Sequence, residues 1–448
     1  MTRLSHLKAL LLLGLPLIGS HVAQMAITTT DTVMLGWYDV TALAAATLAS
    51  SIFFTLFIVG SGFAWAVMPL VAAASEEGDE VQARRVTRMG LWLSMIYGII
   101  MLPPMFFSEP IFRAIGQEAD VAALAEQYLR IAGFGMLPAL FVMVLKAFLS
   151  ALERTQIILW VTLGAAGLNA VVNYALIFGN WGAPELGVRG AAVASVMVQL
   201  ASGALLTFYV LRALPEFALF QRIWRRDAEA MGTVFRLGWP IGVTSFAETG
   251  LFTASAIMMG WLGAVELAAH GIALQMASLT FMVHLGLSQA ATVRAGRALG
   301  RKDIGGLKAG GSVAIGASVL FAAVTIAAFL LLPETLLGLF VDPDDPQRPA
   351  ILAVGVGLLA MAALFQFVDG AQVMALGLLR GVQDTRVPMI HASLSYWGLG
   401  LPAGYVLGFP LGLGGIGIWL GLVVGLAMAA VLLLGRFYGP TLRRLQTG

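Results

Sequence analysis

Charge is scarce along this chain and its apolar residues come in long runs, which constrains its fold more than any motif. Of 448 residues, 11% are charged and 59% hydrophobic, and the mean hydropathy is +0.89. A water-soluble domain carries about 25% charged residues, so these charges cannot cover a soluble surface of this size. An apolar run of about 20 residues spans a bilayer as a helix, because only a helix or a closed barrel satisfies its backbone polar groups in lipid. Twelve such runs can be read, at 9–35, 42–70, 88–108, 121–146, 154–179, 188–212, 232–260, 265–291, 306–332, 349–377, 386–408 and 412–436. The expected fold is an all-α polytopic membrane protein with twelve transmembrane helices in two pseudo-two-fold related six-helix lobes. The absence of cysteine excludes disulfides, thiolate metal sites and a cysteine nucleophile. The net charge of +2 comes from scattered residues, which is not a nucleic-acid footprint.

The basic residues predict orientation. With both termini in the cytoplasm, all 26 Lys and Arg except Arg113, Arg130, Arg189 and Arg348 fall on the cytoplasmic side. The predicted location is the cell inner (plasma) membrane, multi-pass. The first apolar run follows Arg3 and Lys8 as a signal peptide would, but its pattern returns mid-chain at Leu237–Pro240, so it reads as a helix.

That return is part of an internal repeat. Leu13-Gly-Leu-Pro16 aligns with Leu237-Gly-Trp-Pro240, Gly36-Trp37 with Gly260-Trp261, Leu43-Ala-Ala45 with Leu267-Ala-Ala269 and Gly62 with Gly286, all at an offset of 224. Leu152-Glu-Arg-Thr155 resembles Val382-Gln-Asp-Thr385 at an offset of 230. Six helices per half makes the repeat parallel, about an axis along the membrane normal. The division follows as an N-lobe over 1–213 (helices 1–6), a basic cytoplasmic linker over 214–230 and a C-lobe over 231–448 (helices 7–12). Pro16 and Pro240 are expected to bend the first helix of each half.

Three acids lie inside apolar runs: Asp31, Glu248 and Asp369. A carboxylate at the bilayer centre costs roughly 2.5–3.5 kcal/mol on insertion scales, so each is a candidate functional group. None has an evident intramembrane Lys or Arg partner, and each is able to take up a proton, a metal cation or an organic cation. Glu248 lies about 18 Å along its helix from Arg236 and Asp369 about 16 Å from Arg380. They are therefore expected at one depth, sharing a proton or cation, with Na⁺ as the metal to consider at Glu248 and Asp369. The repeat pairs Glu248 with Gln24, Asp31 with Ser255 and Asp369 with Ala139, so no acid is duplicated. Asn169 and Asn173, four residues apart on one helix face, are able to hydrogen-bond a carboxylate. Gln275 is a further polar candidate. Glu126 and Arg130 are expected to pair at the end of the fourth helix. The histidines, His284 among them, show no metal spacing.

These residues together resemble the multidrug and toxic compound extrusion (MATE) family, in its bacterial NorM-like branch, over essentially the whole chain. The specific matches are Asp31-Thr-Val-Met-Leu-Gly36, Glu248, Leu267-Ala-Ala-His270, Ala290-Ala-Thr-Val-Arg294-Ala-Gly296, Leu168-Asn-Ala-Val-Val-Asn-Tyr174 and Leu378-Leu-Arg-Gly-Val-Gln-Asp-Thr385. The resemblance implies a secondary antiporter, not an enzyme, that exports small cationic amphipathic compounds against inward H⁺ or Na⁺ by alternating access of two lobes. It implies that Glu248 and Asp369 form the cation or proton site of the C-lobe, and that Asp31, Asn169 and Asn173 form a polar cluster of the N-lobe. No cofactor is expected beyond the coupling ion, H⁺ and/or Na⁺; the expected partners are the lipid bilayer and the transported compounds, with no nucleic acid, and the chain is expected to be a monomer. His284 departs from the family pattern, which has a proline in the eighth helix. The alternative is a lipid-linked oligosaccharide flippase of related architecture, which should carry intramembrane Arg or Lys to hold pyrophosphate.

Overall fold

The computed structural model describes residues 2–447, and among them there is no strand. Eleven helices are long and apolar enough to cross a membrane. They are α1 (Arg3–Tyr38), α2 (Val40–Glu76), α3 (Glu80–Phe106), α4 (Ala119–Ala151), α5 (Thr155–Phe178), α6 (Val188–Ala213), α7 (Ala228–Leu262), α8 (Ala264–Gly300), α9 (Ile304–Leu331), α10 (Arg348–Gly381) and, after one more element, α12 (Gly414–Arg436). That element, α11, runs over 386–408 and is helical throughout, but residues Leu394–Gly400 form a π-helical stretch that divides it. Pro402 lacks an N–H and its ring crowds the carbonyl four residues earlier, which widens the turns just before it. The chain is a multi-span membrane protein.

α11 lies close against α12 because glycines face each other at four-residue spacing. Gly400, Gly404 and Gly408 meet Gly417, Gly421 and Gly425, and a Cβ at Gly421 would stand 2.2 Å from the Gly404 Cα. Without a hydrophobic drive between helices in lipid, such small-residue seams let backbones approach and gain dispersion contact.

The repeat survives in detail. Glu153 and Gln383, 230 apart, both take φ 61° at the turn after α4 and α10. The following residues close the same turn, Arg154 N–H donating to Leu149 O at 2.8 Å and Asp384 N–H to Leu379 O at 2.9 Å. Gly78 (φ 73°) and Lys302 (φ 57°), 224 apart, likewise precede Asp79 and Asp303, whose carboxylates cap the N-termini of α3 and α9. Pro16 and Pro240 sit within helices assigned as unbroken, α1 and α7.

Two compact units emerge. One contains Gly19–Gly242; the other contains the chain up to Ile18 together with everything from Val243 on. The boundaries thus fall inside α1 and α7, just past the two repeated prolines. In the first unit α7 presses on α2: a Cβ at Gly62 would lie 2.4 Å from Gly238 O and 2.6 Å from Gly242 N. In the second unit α1 presses on α8 at the repeat-related place, where a Cβ at Gly286 would lie 2.8 Å from Ile18 N. The segment between the halves is fastened to α3 of the first unit. Arg88 donates to the carbonyls of Leu219 and Ala218, both at 2.7 Å, and Trp92 Nε1 donates to Ile223 O at 2.7 Å. Arg85 pairs with Asp227 and Glu229 at 2.5 and 2.7 Å. The hydrogen bonds from Arg85 hold the Asp227 carboxyl below the usual carboxylate range.

Candidate functional site

In the unit that contains Gly19–Gly242, α1 brings Asp31 opposite α5. Asn169 and Asn173 are four residues apart, so both amides project from one face of α5. Asn169 Nδ2 donates to Asp31 Oδ1 at 2.8 Å, and Asn173 Nδ2 donates to the same oxygen at 2.5 Å. Both asparagines are 0% exposed, whereas Asp31 is half-buried. Two amide donors on one carboxylate oxygen are charge-assisted bonds that fix the side chain without neutralising it. Both asparagine carbonyl oxygens are buried without a partner, so the pair offers acceptors beside the carboxylate. Buried Tyr128 of α4, whose hydroxyl accepts from Ser50 at 3.5 Å, lies within electrostatic reach of Asp31.

In the other unit, α7 supplies Glu248 and α10 supplies Asp369. The two carboxylates lie within electrostatic reach of each other. Gln372, 0% exposed and one turn past Asp369, ties the group together. Its Nε2 donates to Glu248 Oε1 at 2.8 Å, and its Oε1 accepts from the Tyr396 hydroxyl at 2.5 Å. Tyr396 comes from the π-helical stretch of α11, whose wider turns sit beside this cluster. Asp369 is 2% exposed, and its Oδ1 has no hydrogen-bond partner. An ionised carboxylate removed from water needs a proton, a cation or several donors to be stable; this one retains an open acceptor. Among the described residues no three His, Asp or Glu side chains gather as a metal cluster, so a metal cation here would draw on two carboxylates and amide oxygen.

Sequence reasoning missed Gln372 and Tyr396. The spacing Gln366, Asp369, Gln372 places three polar residues three apart on one stripe of an otherwise apolar helix, a signal that was available for the glutamines. Tyr396 offers no comparable signal. Two basic residues are half-buried: Arg380, in the last turn of α10 as expected, interacts by charge with Glu248, and Lys146 Nζ donates to Thr162 Oγ1 at 3.1 Å. Electrostatics within a folded unit act through space, and a residue eight positions from Gln372 on the same helix remains within range. Gln275 is exposed on α8, outside the hydrogen-bonded group. The Glu126–Arg130 pair forms as expected, at 2.6 Å. Of the acids placed in loops, Asp384 is buried and accepts two bonds from Arg436, at 2.8 and 3.1 Å, and one from Thr441 at 2.9 Å.

The repeat-related positions carry none of this chemistry. Gln24 is exposed, Ala139 is buried and apolar, and Ser255 spends its hydroxyl on the Leu251 carbonyl of its own helix.

The comparisons with known proteins follow the same lines. The MatE family model matches residues 16–175 and again 240–406, so both matches begin at the repeated prolines. A probable multidrug resistance protein NorM of Rhizobium meliloti is 50% identical over 437 residues, 97% of this chain and 93% of that protein. The multidrug resistance protein NorM of Burkholderia vietnamiensis is 38% identical over 96% of this chain and 93% of its own length. Among solved structures, a MATE crystal structure in complex with MaL6 superposes with a TM-score of 0.89 at 20% identity, covering 98% of this chain and 97% of that one. An outward-facing multidrug resistance MATE family transporter of the MOP superfamily superposes with a TM-score of 0.86 at 21% identity, covering 98% and 97%. With two matches to the family model together spanning most of the chain and relatives this similar along nearly their whole length, the chain belongs to the multidrug and toxic compound extrusion (MatE) family of transporters, which are not enzymes.

Proposed function

We propose that this chain is a secondary active multidrug efflux antiporter of the inner membrane, with both termini in the cytoplasm. It exports small cationic amphipathic compounds in exchange for inward H⁺ or Na⁺. The relatives named multidrug resistance protein support the substrate class, and none of those named here carries a flippase name, so the flippase alternative is set aside. The observation that carries the proposal is the pair of carboxylates Glu248 and Asp369 within electrostatic reach of each other, Glu248 bonded by Gln372 and buried Asp369 with an acceptor oxygen left open. A site of this kind binds one small cation or proton at a time. An inward coupling ion and an outward organic cation that both require these carboxylates compete for them, so loading by the ion favours release of the drug.

On this reading Asp31 with Asn169 and Asn173 is the polar cluster of an N-lobe over 1–213. Glu248 and Asp369 are the coupling site of a C-lobe over 231–448, and residues 214–230 connect the two. The lobes exchange access by rocking against each other. The protein works as a monomer without a bound cofactor, and the ion gradient is the energy source. Ethidium uptake into everted vesicles, with pH and Na⁺ gradients imposed separately, tests the proposal. At least one gradient should drive transport in the native protein, and Glu248→Gln or Asp369→Asn should abolish it at near-normal abundance. Native rates in either variant would refute the role of the carboxylates.

A further inference from the structure

The polar stripe of α10 continues past the coupling site to a histidine that the mechanism above does not use. His284 of α8 is 0% exposed. Its Nδ1 lies 2.8 Å from the hydroxyl of Ser318 on α9, and the edge of its ring meets Phe321 with centroids 5.3 Å apart at 73°. Its Nε2 has no partner at hydrogen-bond distance, and neither has the buried carbonyl oxygen of Gln366, although the two side chains lie within polar reach of each other. The Gln366 amide nitrogen is directed to Ala277 O at 3.3 Å, which turns its carbonyl away from that contact. The bond between Nδ1 and the Ser318 hydroxyl forms in either tautomer, with the ring N–H or the hydroxyl as donor.

The ring also rests on the backbone of α10. At Gly370, the residue after Asp369, a Cβ would stand 2.8 Å from His284 Cε1 and 3.0 Å from both His284 Nδ1 and Ser318 Oγ. Glycine at 370 is therefore what admits the imidazole against the turn that carries Asp369. The ring is gripped from α9 by Ser318 and Phe321, both uncharged, and faces α10 at Gln366 and Gly370. Asp369 is the titratable residue next to Gly370 in the α10 sequence, and Glu248 of α7 acts on Asp369 in turn.

We infer that His284 is a positioning residue for the coupling carboxylate: braced by Ser318 and seated over Gly370, it fixes the 366–370 turn and with it the open oxygen of Asp369. The inference deepens the proposed function and rests on the coupling role given there to Asp369. Groups that orient an ion ligand through a second contact tune its affinity by about 10–100-fold. The expected signature is thus a shift in ion dependence, with the transport machinery otherwise intact.

The test is ethidium uptake into everted vesicles measured against pH and, separately, against Na⁺ concentration. His284→Ala should move the half-maximal ion concentration by about tenfold while the maximal rate and the abundance stay near native. His284→Asn, whose amide can still take the Ser318 hydroxyl, should restore most of the shift. Gly370→Ala should reproduce the shift with the histidine in place. The double variant His284→Ala with Gly370→Ala should be no worse than His284→Ala alone, because the ring that the new Cβ would meet is gone. Should His284→Ala not reach the membrane, His284→Asn and Gly370→Ala carry the comparison. Ion profiles that superimpose on native in the His284 variants, or a double variant whose defects simply add, would overturn the inference. Asp369→Asn run alongside separates the two levels. If it too leaves coupling native, the proposed coupling site fails; if it abolishes coupling while the His284 profiles stay native, only the positioning role fails.

Discussion

The two polar clusters stand on repeat-related scaffolds and differ in almost every chemical respect. In one, a single half-buried carboxylate, Asp31, receives two amide donors on one oxygen. In the other, two carboxylates, Glu248 and Asp369, lie within electrostatic reach, the amide of Gln372 donates to Glu248, and the more deeply buried Asp369 keeps an open oxygen. The first arrangement gives its one carboxylate two charge-assisted donors. The second is short of donors, so its charge is balanced when a cation or proton arrives. Meanwhile the backbone repeats down to the left-handed residues Glu153 and Gln383 and the paired glycine contacts at Gly62 and Gly286. Duplication supplied a frame twice, and the chemistry was placed in it at different positions each time.

The largest expected effects separate the clusters directly. Glu248→Gln and Asp369→Asn should each abolish ion-coupled efflux. By contrast, Gln24→Leu and Ser255→Ala, at the repeat partners of Glu248 and Asp31, should leave transport close to native. Loss of transport in those partner variants would mean that the chemistry is duplicated after all.

Next come the scaffold contacts, which should behave alike in both halves. Gly62→Ala sets a Cβ against Gly238 O and Gly242 N, and Gly286→Ala sets one against Ile18. Each should destabilise the protein by about 1–3 kcal/mol, readable as matched drops in melting temperature in detergent. Widely unequal drops would break the symmetry of the frame.

A smaller effect is expected within the first cluster. Asn173→Leu removes one of two donors to Asp31 and should cost about 1–3 kcal/mol of local stabilisation, seen as weakened transport, with Asn169→Leu alike and the double variant more than additive. The smallest effect lies outside the membrane. Asp227, held below its usual range by Arg85, adds stability that is present above the ordinary carboxylate value and is lost as pH falls through its depressed one. Asp227→Asn should therefore cost about 0.2–1 kcal/mol near neutral pH and nothing in strong acid. A melting difference that grows on acidification would contradict this sign.

Much of this was legible in the residues, for identifiable reasons. Helices in lipid must satisfy their own backbone, so apolar run length alone located the spans, including 386–408 with its π-helical interior. The three membrane acids stood out because ionisable groups are costly there. The capacity of Asn169 and Asn173 to bond a carboxylate followed from four-residue spacing on one face. What stayed hidden depends on contacts between distant helices. Nothing local marks Tyr396 as the partner of Gln372, and Arg380 reads as a helix end until packing brings it within range of Glu248. The glycine seam of α11 and α12 shows a four-residue spacing within each helix, but which helices meet there is fixed only by the fold.

The central claim is that coupling resides in Glu248 and Asp369. It is tested most directly by ethidium uptake into everted vesicles carrying native protein, Glu248→Gln, Asp369→Asn or Asp31→Asn, with pH and Na⁺ gradients imposed one at a time. The prediction is that the two C-half variants respond to neither gradient, while Asp31→Asn still responds to the gradient that drives the native protein, at a reduced rate. Gradient-driven uptake in Glu248→Gln or Asp369→Asn equal to native would contradict it.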